Sequence, residues 1–174
     1  MSSQVSHKIK NRKVAKDVFI TPRDLAKAHV NMIEYTKNDI WLDPCRFNEL
    51  GSYYSQFPSE CKKCWFEIQE GKDFLKDECN DKPTIICCNL PYSIIDVWLD
   101  RCIELNPRII SFLIGVHNLT AKRTEKLEKA GYGLSRIKMM KVFDWYGMSA
   151  IVVFEKGKKG IIEYDRKVYH TEKL

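Results

Sequence analysis

The chain has 174 residues, 44% hydrophobic and 30% charged, with a net charge of +6. This length suits one domain with a sizeable core rather than two, and the composition is ordinary for a water-soluble globular protein. Its apolar runs are too short to span a bilayer, and its N-terminus carries charge where a secretion signal needs an apolar stretch. An intracellular protein, cytoplasmic or nuclear and without a membrane partner, is therefore expected.

Residues 1–16 hold Lys8, Lys10, Arg12, Lys13 and Lys16 and no acid, so this segment alone contributes +5. It has few apolar residues to bury and is expected to be a flexible basic arm. Two roles are open for it: a solvated tail, or a contact to nucleic-acid phosphates. The folded domain is expected over 17–157, with 158–174 as a C-terminal extension.

Within "VFITPRDLAKAHVNMI" the spacing predicts a helix capped by Thr21, with Pro22 at its first position. Leu25, Ala28, His29, Met32 and Ile33 would share its buried face. A short strand over 39–45 stops at Asp43-Pro44. The stretch "RFNELGSYYSQFP" reads as a loop entering a brief helix. A second strand, 64–68, ends near Glu67. "TIICCN", 84–89, is unbroken by polar residues, as expected of a strand covered on both faces.

Ile94, Ile95, Trp98, Leu99, Cys102 and Ile103 then mark a helix over 93–105. A strand follows at 108–116, and a charged surface helix at 120–132 ends at Gly131. Two final strands, 133–143 and 148–156, are joined through "DWYG". Strands alternating with helices, then two strands in succession, indicate an α/β fold. It would be a mainly parallel twisted sheet with helices on both faces and a C-terminal antiparallel hairpin.

Seven cysteines without a secretion signal are read as reduced thiols. Cys61-Lys62-Lys63-Cys64 has zinc-knuckle spacing, but no second such pair exists to complete a site, so no metal is expected. Most of these cysteines read as small buried hydrophobes.

In open sheets of this kind, ligands bind beyond the carboxyl ends of the strands, which singles out Asp43, Glu67 and Asn89-Leu90-Pro91-Tyr92. Glu67, at a second strand end, suits ribose hydroxyls. Asp73 and Phe74 would give an adenine ring a polar partner and a stacking face, and Asp43 suits an amino group. Together these point to an adenosine-containing cofactor. Asn89 and the Leu90 carbonyl could both accept from one NH2, Pro91 brings no competing N–H, and Tyr92 offers a face to a base. That group suits a planar amine substrate.

The order of these motifs resembles the class I S-adenosylmethionine-dependent methyltransferases, within them the adenine-N6 enzymes whose signature is [Asn/Asp]-Pro-Pro-Tyr. Asn-Leu-Pro-Tyr is the form used by the adenine dimethylases of ribosomal RNA. "VFITP" resembles the Phe-x-Thr-Pro element of the DNA adenine enzymes. "LDPC…GSYYSQFP" resembles their first cofactor motif as carried by phages and large DNA viruses. The likeness runs from about Val18 to Lys156. It implies a Rossmann-like methyltransferase fold, with Asn89 and Tyr92 holding an extruded adenine. It also implies S-adenosylmethionine bound by Phe19, Thr21, Pro22, Asp43, Gly51, Glu67, Asp73 and Phe74.

The first motif departs from the family's Asp-Pro-Phe-x-Gly-x-Gly. It reads Asp43-Pro44-Cys45-Arg46-Phe47-Asn48-Glu49-Leu50-Gly51, with bulk and charge where glycines let backbone approach the cofactor. The implied function is methylation of adenine N6 in nucleic acid, DNA ahead of RNA, without a separate target-recognition domain. Specificity would come from short loops, the arm or a partner, with a homodimer open. The alternative is a methyltransferase fold without catalysis, serving as a nucleic-acid-binding or viral assembly component.

Other features read more plainly. Phe143, Trp145 and Tyr146 suit turn packing, and His117 and Asn118 a satisfied loop pair. Ile161, Ile162 and Tyr164 give the extension a strand-like pattern without an assigned role.

Overall fold

The computed structural model describes residues 19–47, 51–142 and 148–166. The basic arm, Asn48 to Leu50, and Phe143, Trp145 and Tyr146 lie outside the described residues, as do 167–174. The described chain runs α1 (Arg23–Val30), β1 (Ile40–Asp43), β2 (Lys62–Trp65), β3 (Ile85–Asn89), α2 (Ile95–Leu105), β4 (Ile109–Gly115), α3 (Ala121–Lys129), β5 (Tyr132–Met140) and β6 (Ser149–Lys156). Short 3-10 turns stand at Tyr54–Gln56, Ile68–Glu70, Tyr92–Ile94 and Val116–Asn118. None of the described helices is long and apolar enough to cross a membrane.

One six-stranded sheet has the order β2-β1-β3-β4-β6-β5. β1 pairs parallel with β2 and β3, and β3 pairs parallel with β4; β6 runs antiparallel between β4 and β5. The expected α/β class, parallel core and terminal hairpin are all present. What the sequence pattern does not convey is that the last strand inserts inside the penultimate one.

Alternation along each strand sorts its side chains onto two faces. Trp41, Ile85, Cys87, Ile109, Leu113, Ile151 and Val153 pack with Ala26, Val30, Tyr53 and Phe57 on the α1 side. Leu42, Ile86, Cys88, Ile110, Phe112, Val152 and Phe154 pack with Trp98, Leu99, Cys102 and Leu127 on the α2–α3 side. Burial on both faces explains why β3, β4 and β6 read as near-continuous apolar runs. At the N-terminal edge, Asp39 accepts from Arg108 Nε (2.8 Å), Arg108 Nη2 (2.7 Å) and Thr84 Oγ1 (2.7 Å), tying the parallel strands together.

Three expectations need correction. Pro22 stands one residue before α1, and Thr21 does not cap that helix, which has no side-chain cap. The face that α1 buries is Ala26, His29 and Val30; Leu25 and Ala28 are only partly covered. Residues 161–166 form no strand. This part of the extension is irregular and meets β5 through an Ile161 N–H to Leu134 carbonyl bond of 3.0 Å.

Candidate active site

The chain leaves β1 for β2 on one side and returns to β3 on the other, so the sheet's switch point lies between the carboxyl ends of β1 and β3. A crevice forms there because the outgoing connections diverge. Two cavities occupy it. The smaller, about 300 Å³, is lined by Phe19, Thr21, Pro22, Asp43, Arg46 and Tyr53 among others, with Gly51 and Ser52. The larger, about 440 Å³, is lined by Glu67, Lys72, Asp73, Phe74, Pro91 and Trp98 among others, with Ile68 and Ile94 at its edge. Phe19, Cys45, Phe47 and Asn89 line both, which makes them the junction.

Asn89 ends β3, where the next residues turn into α2. Its Nδ2 donates to the buried Thr21 Oγ1 at 3.2 Å, and its own carbonyl accepts from Cys45 Sγ at 3.3 Å. The amide oxygen Oδ1 is shielded from solvent and has no hydrogen-bond partner among the described residues. Such an acceptor costs roughly 1–3 kcal/mol while unpaired. Arg46 Nε and Trp98 Nε1 are likewise buried and unpaired among the described residues.

Asp43 is fully buried. Its carboxylate oxygens accept from the backbone N–H of Cys45 (3.2 Å) and Tyr54 (3.1 Å). Burial outweighs these two bonds and the nearby Arg46, raising the carboxyl to about 7. An acid held this way gains most from a cation brought beside it.

Glu67 sits just past β2, which covers 62–65 rather than 64–68. Its two oxygens accept from the N–H of Phe47 (2.6 Å) and of Gln69 (3.0 Å). The Phe47 backbone has φ of 73°, the left-handed conformation that glycine adopts freely and a bulky side chain rarely does. Glu67 thus holds the first-motif loop in a glycine-like shape at a position where the sequence carries phenylalanine. Phe47 is among the residues that line both cavities. Arg46 stacks on Trp65 at 3.6 Å and pairs with Glu70 at 2.5 Å, fixing the loop from behind.

Asp73 and Phe74 form one wall of the larger cavity. Phe74 packs on Trp98 with ring centroids 4.8 Å apart, and Asp73 pairs with Lys76 at 2.8 Å. Leu90 is buried in the core on the α2 side. Tyr92 lies outside the lining of both cavities and packs against the same core, beside the Gly115 backbone at the end of β4. Burial raises its hydroxyl to about 12. His117 and Asn118 also stay out of the crevice: Asn118 Nδ2 meets His117 Nε2 at 3.3 Å, and Arg123 clasps Asn118.

Sequence reasoning passed over Cys45, Tyr53 and Trp98 as crevice residues. It also treated His29 only as part of an apolar face. His29 is buried under the smaller cavity, between Tyr53 Oη (2.8 Å from Nδ1) and Ser111 Oγ (2.6 Å from Nε2). Ser111 donates its own proton to the Val152 carbonyl at 2.9 Å, so the chain runs one way: Tyr53 to His29 to Ser111 to Val152. No local pattern marks it, since its members are 24 and 82 residues from His29. Among the described residues, no cluster of His, Cys, Asp and Glu could hold a metal.

No family model matches the sequence, and no curated protein matches it. Solved structures do. The 23S rRNA methyltransferase ErmE superposes with a TM-score of 0.57 at 15% identity, covering 84% of this chain and 72% of that one. The Burkholderia thailandensis 1,6-didemethyltoxoflavin-N1-methyltransferase, solved with S-adenosylhomocysteine, gives 0.57 at 10% identity over 88% and 85%. The precorrin-6y C5,15-methyltransferase of Geobacter metallireducens gives 0.55 at 11% identity over 85% and 95%.

Proposed function

We propose that the protein, whose fold is that of the class I S-adenosylmethionine-dependent methyltransferases, transfers the methyl group of S-adenosylmethionine to the N6 amine of adenine in nucleic acid. The observation carrying this reading is Asn89: it lines both cavities, and its buried amide oxygen has no donor among the described residues.

The lining fits the cofactor in two parts. Asp43, in the smaller cavity, offers a carboxylate that needs a cation, matching an amino-acid ammonium. The larger cavity has the apolar Phe74 and Trp98 with the acids Glu67 and Asp73, matching a nucleoside. Glu67 keeps acceptor capacity after its two backbone bonds, because each carboxylate oxygen has two lone pairs. When bound, the cofactor supplies an electrophilic methyl group.

The chain's own contribution is positioning. Asn89 Oδ1 accepts one N–H of the adenine amine and turns the nitrogen lone pair toward the junction. Thr21 keeps the amide's other end engaged, so the oxygen faces the substrate. Pro91 offers no competing N–H. Tyr92, half-buried beside the Gly115 backbone and outside both cavities, would stack on a base flipped from the duplex. Flipping costs a few kcal/mol, and stacking recovers about 1–3 kcal/mol of it. The basic arm supplies phosphate contacts.

Incubation with labelled S-adenosylmethionine and single-stranded or duplex DNA and RNA oligonucleotides tests the proposal. N6-methyladenine should accumulate with the wild type, and Asn89→Ala should slow it by on the order of 10²-fold. Methyl transfer to another atom would overturn the target assignment. DNA or RNA binding without any transfer would favour the non-catalytic alternative.

A further inference from the structure

His29 is fully buried and lines neither cavity, yet it stands where three elements meet. α1 carries it. The turn after the first motif reaches its Nδ1 through Tyr53 Oη at 2.8 Å, and β4 meets its Nε2 through Ser111 Oγ at 2.6 Å. The Tyr53 ring is itself buried and packs edge-on to the imidazole, with centroids 5.3 Å apart.

Two of these elements are walls of the smaller cavity. Thr21, Pro22 and Arg23 line it where the chain enters α1, and Gly51, Ser52 and Tyr53 line it from the turn. The first wall is fixed at Thr21, whose Oγ1 accepts from Asn89 Nδ2 at 3.2 Å. The second carries the Tyr54 N–H to Asp43 Oδ2 at 3.1 Å, one of the two backbone donors that hold this carboxylate. The turn is closed on itself: the Ser55 N–H donates to the Gly51 carbonyl at 3.0 Å, and the Gln56 N–H to the Tyr53 carbonyl at 2.8 Å. A shift of Tyr53 therefore carries the Tyr54 donor with it.

We propose that His29 is a positioning residue for the amino-acid half of the cofactor. Through Tyr53 it sets the spacing between the α1 wall and the turn wall, and with it the donor to Asp43. This rests on the smaller cavity being the ammonium pocket.

Histidine suits the junction because its ring carries two polar atoms that serve two elements. Ser111 gives its proton to the Val152 carbonyl, so Nε2 donates and Nδ1 accepts from Tyr53. An aliphatic side chain would leave the buried Tyr53 hydroxyl without an acceptor and free the turn to shift. Asparagine can place an acceptor near the Nδ1 position and has nothing to offer at Nε2.

Calorimetric titration of the full chain compares S-adenosylhomocysteine, which has the amino-acid half, with 5′-methylthioadenosine, which lacks it. Thermal melting checks that each variant is folded. Tyr53→Phe and His29→Leu should each weaken S-adenosylhomocysteine by about tenfold and leave 5′-methylthioadenosine unchanged. His29→Asn should restore the affinity while still lowering the melting temperature. Tyr53→Phe keeps the shape of the ring and carries the test if His29→Leu does not fold. Equal weakening of both ligands would make His29 a structural residue only and overturn the proposal, as would unchanged S-adenosylhomocysteine affinity in Tyr53→Phe. A wild type that binds both ligands equally, or neither, would instead remove the ammonium pocket itself, and the proposal with it.

Discussion

At the scale of single residues, Asp43 makes the site's behaviour depend on pH. Burial raises its carboxyl to about 7, and an ammonium group would bind the ionised form. Below that pH the proton must leave before the pair can form. Affinity for S-adenosylhomocysteine should therefore fall about tenfold per pH unit below 7 and level off above it. Asp43→Asn should bind more weakly and show no such slope; an unchanged slope would assign the titration elsewhere. Thr21 makes a second case. Thr21→Val keeps the shape but removes the hydroxyl, freeing the Asn89 amide to rotate. Turnover should fall while cofactor affinity stays, and Thr21→Ser should restore the turnover. The strand-end positions of Asp43 and Asn89 were legible in the sequence, since Pro44 follows Asp43 directly and Pro91 stands two residues after Asn89. The Thr21 bond was not, because it crosses 68 residues and the local pattern reads as a helix cap.

At the scale of elements, α1 is clamped to the sheet by one buried histidine. Burial lowers His29 to about 3, so the native protein keeps it neutral while the unfolded chain protonates below about 6.5. Its contribution to stability is complete above 6.5 and lost as pH falls toward 3, by about 1.4 kcal/mol per unit. Asp43 acts in the opposite sense, since its raised native pKa removes stability as pH rises from 3.8 to about 7. The two slopes oppose each other between pH 4 and 6.5. Urea titrations of Asp43→Asn should expose the His29 slope, with stability rising steadily over that range. Tyr53→Phe leaves His29 Nδ1 without its donor and should cost on the order of 1–3 kcal/mol. A neutral result would mean the network contributes no net stability. Most strands were legible because burial on both faces writes continuous apolar runs. On the α1 face His29 and Ile33 were read correctly as buried, while Ala26 and Val30 were passed over because they are less conspicuous than Leu25 and Met32, which are only partly covered.

At the scale of the whole molecule, the sheet sets the crevice at one end and receives the extension on β5. Gly133 allows that contact: a Cβ there would stand 2.2 Å from the Lys158 carbonyl oxygen, which is backbone and cannot swing aside. Gly133→Ala should therefore displace the extension and destabilise the fold by about 1–3 kcal/mol, read by thermal melting. Loss of no stability would mean the extension adds none. The sequence suggested a strand in the extension from the alternation of Ile161 to Tyr164. Among the described residues that pattern has no pairing strand, and Ile161 meets β5 through its backbone bond to the Leu134 carbonyl. The strand order was equally hidden, because inserting β6 between β4 and β5 depends on long-range pairing. The central claim is that the two joined cavities form one cofactor site despite the phenylalanine in a glycine's place. Calorimetric titration of the full chain with S-adenosylhomocysteine tests it most directly. The account predicts one saturable site of micromolar affinity; no heat of binding at millimolar ligand, with the protein folded, would contradict it.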